Sequence, residues 1–167
     1  NGNEDYYWGM GLTAEEVAKE YKINREDQDI FAFNSHQKAL SAIENKKFDS
    51  QIAPINVEEI YLDENSIKKT RNHTYTQDEG PRKDTSIEAL SKLRPVFSNT
   101  GSVTAGNSSQ MSDGAAFVMI ASESYIKTHN IEPIARLINY SVAGLPPKIM
   151  GVGPIKAIPK VLNKTNL

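Results

Sequence analysis

Along 25–45 the apolar positions Phe31, Ala39, Ala42 and Ile43, with Ser35, recur at three- and four-residue steps, and the stretch contains neither glycine nor proline. That periodicity predicts a long helix with its packed face on those residues. Asn24, with Asp27 three positions on, is placed to open it. Thr13 and Glu16 have the spacing of a reciprocal cap, which predicts a short helix over 14–21. Residues 52–62 partly alternate apolar and polar. They predict a strand, with DENS (63–66) as the turn, HTYTQ (73–77) as the returning strand, and an exposed hairpin as the result. Thr85 and Glu88 repeat the capping spacing, so 86–92 is expected to be helical and to stop before Pro95. Beyond residue 111 the pattern changes. Residues 115–121 are continuously apolar and short, as in a buried strand. Residues 123–130 are amphipathic and helical. Residues 134–143 predict a second strand, with Arg136 and Asn139 on a more polar face. Pro154 is acceptable in the first turn of a last helix, whereas Pro159 argues against that helix being continuous. Strand, helix, strand, helix is the order of an α/β layered fold. The change near 111 is the candidate domain boundary.

Composition narrows the possibilities. The 167 residues are 38% hydrophobic and 24% charged, enough for a core in a soluble chain, and the formal net charge is −2. So neutral a balance argues against nucleic acid or an anionic membrane as the main partner. No apolar run approaches the roughly 20 residues that span a bilayer, and no segment reads as a signal peptide. The chain has no cysteine, so it offers neither disulfides nor a thiolate nucleophile, which suits a reducing, cytoplasmic setting. His36, His73 and His129 are too far apart in sequence to form a ligand-spaced pair, and no metal site is expected.

The stretch TAGNSSQMSDGAAFVMI (104–120) sets small and hydroxyl residues directly before the apolar run. Such a loop lets a ligand lie against main chain, since glycine admits unusual conformations and Ser and Asn supply short polar groups. A tight structural turn before a core strand would use the same residues.

MGLTAEEVA (10–18), REDQDIFAFNSHQKA (25–39), KLRPVF (92–97), GSVTAGNSSQMSDGAA (101–116) and IMGVGPIKAIPK (149–160) stand in an order and spacing that resemble the thiolases, the acetyl-CoA acyltransferases or 3-ketoacyl-CoA thiolases. The resemblance runs from about residue 6 to the end. It implies a fragment of a layered α/β fold built from two similar halves. Residues 1–110 would be the loop domain covering coenzyme A, 111–125 the last part of the N-terminal half, and 126–167 the start of the C-terminal half. It also implies acyl transfer to coenzyme A through a cysteine thioester, and a parent that forms dimers or tetramers and serves fatty-acid β-oxidation. Coenzyme A and acyl-CoA enter as substrates, with no cofactor. The family's reactive cysteines, its GHP histidine and its NEAF segment are absent, so no catalytic residue falls in this chain. The simplest expectation is a catalytically inert piece of an enzyme. The alternatives are a non-catalytic, thiolase-like coenzyme A-binding module and an oligomerisation piece. By the same resemblance Arg82, in DEGPR, would lie by the adenine end of coenzyme A. Ser109 and Ala105 would line the pantetheine arm and Met10 the substrate tunnel. Leu90 is expected to pack, and MGVGP (150–154) to be a structural turn. Gly9 stands where some thiolases have a histidine. Gln110 and Met111 replace the Gly-Leu of the biosynthetic type, and the subtype leans towards the degradative enzymes. Strand 115–121 would need pairing partners from outside this chain, so 111–167 is expected to be swapped, stacked or partly disordered in isolation, with 13–97 better ordered.

Overall fold

Asn24 caps the longest helix as its side chain suggests: its Oδ1 accepts from the Asp27 N–H at 2.8 Å. The computed structural model describes residue 2 and residues 4–165. It divides into two discontinuous units. One comprises residues up to Ile23, Pro95–Val103 and Met111 onward; the other comprises Asn24–Arg94 and Thr104–Gln110.

In the first unit a 3-10 helix, Glu4–Tyr7, precedes helix α1, Met10–Glu20. The Thr13–Glu16 cap does not form. Gly9 takes the cap position, a turn earlier, and Thr13 lies inside the helix, buried, with its hydroxyl donating to the Met10 carbonyl at 2.8 Å. Backbone continuity outweighed a capping pattern that was only local. Gly11 is required because a Cβ there would run into the Phe97 ring. Helix α1 packs on the 3-10 helix Pro147–Val152, whose Ile149 and Val152 are buried with Ala18 and Val103.

In the second unit α2, Arg25–Glu44, packs on α3, Ile87–Ser91. The packed face of α2 follows the expected stripe at Ala39, Ala42 and Ile43, which are half-buried, and departs from it in the first half of the helix. Phe31 is 78% exposed and Ser35 is exposed, while Asp29 is buried and Phe33, His36 and Leu40 are half-buried. Ser86, not Thr85, caps α3, accepting from Ala89 N–H at 3.1 Å. The hairpin forms from β1, Ile55–Leu62, and β2, Lys68–Tyr75, antiparallel and exposed throughout. The returning strand begins earlier than 73 because the turn is tight. Asp63 accepts from the Asn65 and Ile67 N–H groups, and Ser66 takes the left-handed conformation at φ 60°. Lys69 beside Asp63, followed by those N–H groups, holds its carboxyl below the usual carboxylate range. Arg71 pairs with Glu59 across the strands at 2.6 Å and lies over the Tyr61 ring.

Helix α4, Glu123–His129, is capped by Ser122 and closed by Asn130 in the left-handed conformation. The two strands expected around it are absent: neither 115–121 nor 134–143 is paired, and Phe117, Val118, Met119, Ile120 and Ile134 stand in solvent. A strand exists through a neighbour's N–H and C=O groups, and among the described residues none is offered to these segments. Residues 141–142 are held instead by side-chain bonds to the last helix, α5, Gly153–Thr165: Ser141 Oγ donates to Ala157 O, and Lys160 Nζ donates to Val142 O. Helix α5 runs through Pro159, contrary to the expected break. Among the described residues no helix is long and apolar enough to cross a membrane.

Candidate functional site

The 104–110 loop returns to the second unit and closes on itself. Thr104, fully buried, donates its N–H to Asn107 Oδ1 at 2.7 Å. Its own hydroxyl accepts from Gly106 N–H at 3.2 Å and Asn107 N–H at 3.3 Å, and Ser108 Oγ donates to its carbonyl at 2.7 Å. Thr104, Asn107 and Ser108, among the polar residues that suggested a ligand cradle, are therefore spent on the loop's own geometry, a use that short side chains favour.

The loop is fastened to the helices by a relay. Asn107 Nδ2 donates to Asp29 Oδ1 at 3.0 Å, and Arg25 Nε donates to Asp29 Oδ2 at 2.7 Å. Arg25 Nη2 then reaches the Leu90 and Leu93 carbonyls at 2.6 and 3.0 Å, where α3 ends. Asp29 is 2% exposed, so its charge is tolerable only because it is paired. Gly106 completes the fit. A Cβ there would come within 2.5 Å of both Leu90 Cδ2 and Leu93 Cδ1. The glycine thus serves close packing of the loop on α3. Gly106→Ala should cost about 1–2 kcal/mol through overpacking, read as a lowered urea midpoint; an unchanged midpoint would show that the two leucines simply move aside.

The expected contact residues fall as follows. Ala105 and Ser109 share this loop and are exposed. Arg82 is in the same unit, and its segment runs beside the loop's end, since a Cβ on Gly80 would meet the Gln110 amide. The Arg82 N–H donates to His36 Nδ1 at 3.2 Å, and its exposed guanidinium pairs with Asp84 at 3.2 Å. That pairing holds the Asp84 carboxyl below its ordinary range. An exposed pair contributes little, so Asp84 is a weak competitor for Arg82. Leu90, 4% exposed, packs as expected. Met10, 66% exposed at the start of α1, belongs to the other unit. Among the described residues no three His, Asp or Glu side chains gather as metal ligands would. Sequence reasoning missed Arg25, Asp29 and Asn107. The available signal was the i,i+4 spacing of Arg25 and Asp29 within a helix.

Comparison with known proteins follows the same lines. The model of the thiolase N-terminal domain family matches residues 4–124. The 3-ketoacyl-CoA thiolase of Bacillus subtilis (strain 168) is 44% identical over 163 residues, which is 98% of this chain and 42% of that protein. The dimeric peroxisomal thiolase of Saccharomyces cerevisiae superposes with a TM-score of 0.83 at 43% identity, covering 100% of this chain and 40% of its own. The human mitochondrial 3-ketoacyl-CoA thiolase in complex with CoA gives 0.80 at 41%, covering 95% and 37%. This chain belongs to the thiolase family, and its α/β fold is that of part of a thiolase. It spans about two-fifths of the length of these relatives.

Proposed function

We propose that this chain is the coenzyme A-binding portion of an acetyl-CoA acyltransferase. The reaction is the reversible conversion of a 3-ketoacyl-CoA and coenzyme A into a shortened acyl-CoA and acetyl-CoA. The bond between the α-carbon and the keto carbon breaks; the acyl half passes through a thioester to the coenzyme A sulfur, and the acetyl half takes up a proton. This chain contains no cysteine, so in this reading the acylated sulfur lies elsewhere in the parent and the present residues hold the substrate. Residues 1–110 cover coenzyme A, 111–125 close the N-terminal half, and 126–167 begin the C-terminal half. The parent works as a homo-oligomer in fatty-acid breakdown in the cytoplasm.

The observation that carries the reading is the exposed pair Ala105 and Ser109 on a loop held in shape by the hydrogen bonds of Thr104, Asn107 and Ser108. A pantetheine arm meets a rigid small-residue surface there, and ordering it costs the protein little entropy. Arg82 supplies a planar cation for the adenine and phosphate end. Met10 would line the acyl path.

Calorimetric titration of coenzyme A tests this. Arg82→Ala should bind about 10-fold more weakly than the unsubstituted chain, the loss of one charge-assisted contact. Equal affinity would remove Arg82 from the site. The complete reading frame decides the wider assignment: a cysteine upstream with the GHP histidine and a second reactive cysteine downstream supports the enzyme, and flanks lacking them leave a non-catalytic binding module.

A further inference from the structure

We propose that Asp29 is a positioning residue for coenzyme A, acting through Asn107 on the 104–110 loop; this rests on the reading of that loop as the pantetheine contact. The Asn107 amide does two things at once. Its Oδ1 takes the Thr104 N–H at 2.7 Å and closes the turn, while its Nδ2 donates to Asp29 Oδ1 at 3.0 Å. An ionised carboxylate only accepts, so Asp29 dictates which end of the amide faces it and which end faces Thr104. The other Asp29 oxygen is occupied by Arg25 Nε at 2.7 Å, so the carboxylate is itself fixed in orientation. Ala105 lies inside the turn that Asn107 closes, and Ser109 follows the Ser108 hydroxyl that donates to Thr104 O. The small-residue surface therefore inherits its geometry from a carboxylate on α2, 78 positions away in the chain from Asn107.

Asp29→Asn breaks this arrangement in a defined way. The amide introduced at position 29 has one accepting oxygen where the carboxylate had two. If that oxygen keeps Arg25, an NH2 group confronts the Asn107 NH2. Asn107 must then turn over, and Thr104 loses its acceptor. The exchanged pair, Asp29→Asn with Asn107→Asp, restores the contacts to Arg25, to Thr104 and between 29 and 107. The amide at 29 accepts from Arg25 and donates to the new carboxylate at 107, which still accepts from Thr104, and the net charge is unchanged.

Coenzyme A is titrated calorimetrically into the full chain and its variants, and hydrogen exchange is followed at the Thr104, Gly106 and Asn107 amides. Asp29→Asn should weaken binding by about 10-fold or more and speed exchange at all three. The exchanged pair should return both readouts to within about 3-fold of the unsubstituted chain, a coupling that a generic packing role would not produce. Wild-type affinity and exchange in Asp29→Asn, or a double variant no better than the single one, would overturn the proposal. Should Asp29→Asn fail to fold, Asn107→Asp alone, which sets two carboxylates together, takes its place against the double variant. If the unsubstituted chain does not bind coenzyme A, the pantetheine reading and the ligand half of this proposal fall together. Exchange then decides the loop half by itself.

Discussion

Arg25→Ala is expected to destabilise the chain by about 3 kcal/mol, the largest effect of any single truncation considered for this protein. The reason is what remains behind. Arg25 donates to a carboxylate that is almost wholly buried and, through Nη2, to the Leu90 and Leu93 carbonyls at the end of α3. Without it Asp29 loses its counterion, and two carbonyls lose a donor. Breaking such a pair from one side costs roughly 3–5 kcal/mol. The lower end applies because the Arg25 side chain is still 25% accessible. Urea titration followed by circular dichroism should show the loss. Arg25→Lys should fall between, because an ammonium cannot reproduce the forked donation to a carboxylate and two carbonyls. A midpoint for Arg25→Ala equal to that of the unsubstituted chain would show that water satisfies Asp29 as well as Arg25 does.

The second large effect is expected at Glu15, in the other unit. Its carboxylate accepts from Ser102 N–H at 3.0 and 2.9 Å, from Val103 N–H at 2.9 Å and from Ser102 Oγ at 3.3 Å. One helical side chain thereby collects the backbone donors of a segment 87 positions away. Gly101 gives it room, since a Cβ there would collide with the Glu15 carboxylate. Glu15→Ala should cost about 2 kcal/mol, in the range for hydrogen bonds to a charged group, and should raise amide exchange at Ser102 and Val103. Glu15→Gln keeps one acceptor and should recover part of the protection. Unchanged exchange in Glu15→Ala would mean that other groups hold 102–103.

The expected elements that formed are those whose determinants lie within a few residues. Asn24 and Asp27 set the start of α2 by direct contact, and the Asp63 turn defines the hairpin within five positions. The misreadings have non-local causes. Thr13 has a cap's spacing, yet a helix already under way from Gly9 absorbs it. The stripe on α2 holds at Ala39, Ala42 and Ile43 but not at Phe31, because the first half of the helix packs through Asp29, a charged residue whose partner Asn107 is remote in the chain. Segments 115–121 and 134–143 have the composition of strands, but composition supplies no ladder. The family was legible because five motifs stand in order. Within the candidate site, Ala105 and Ser109 were assigned by that route; of the relay behind their loop, Arg25 and Asp29 lie within one helical turn, whereas Asn107 and Asp29 are 78 positions apart.

Both units are stitched from separated stretches, with the chain passing between them at 23/24, 94/95, 103/104 and 110/111. No single cut therefore releases either one whole. A C-terminal truncation placed between 94 and 104 would express α2, the hairpin and α3 without the 104–110 strip that seats on the two helices. Dissection of this protein calls for internal excision and religation of gene segments, not for shortening from one end.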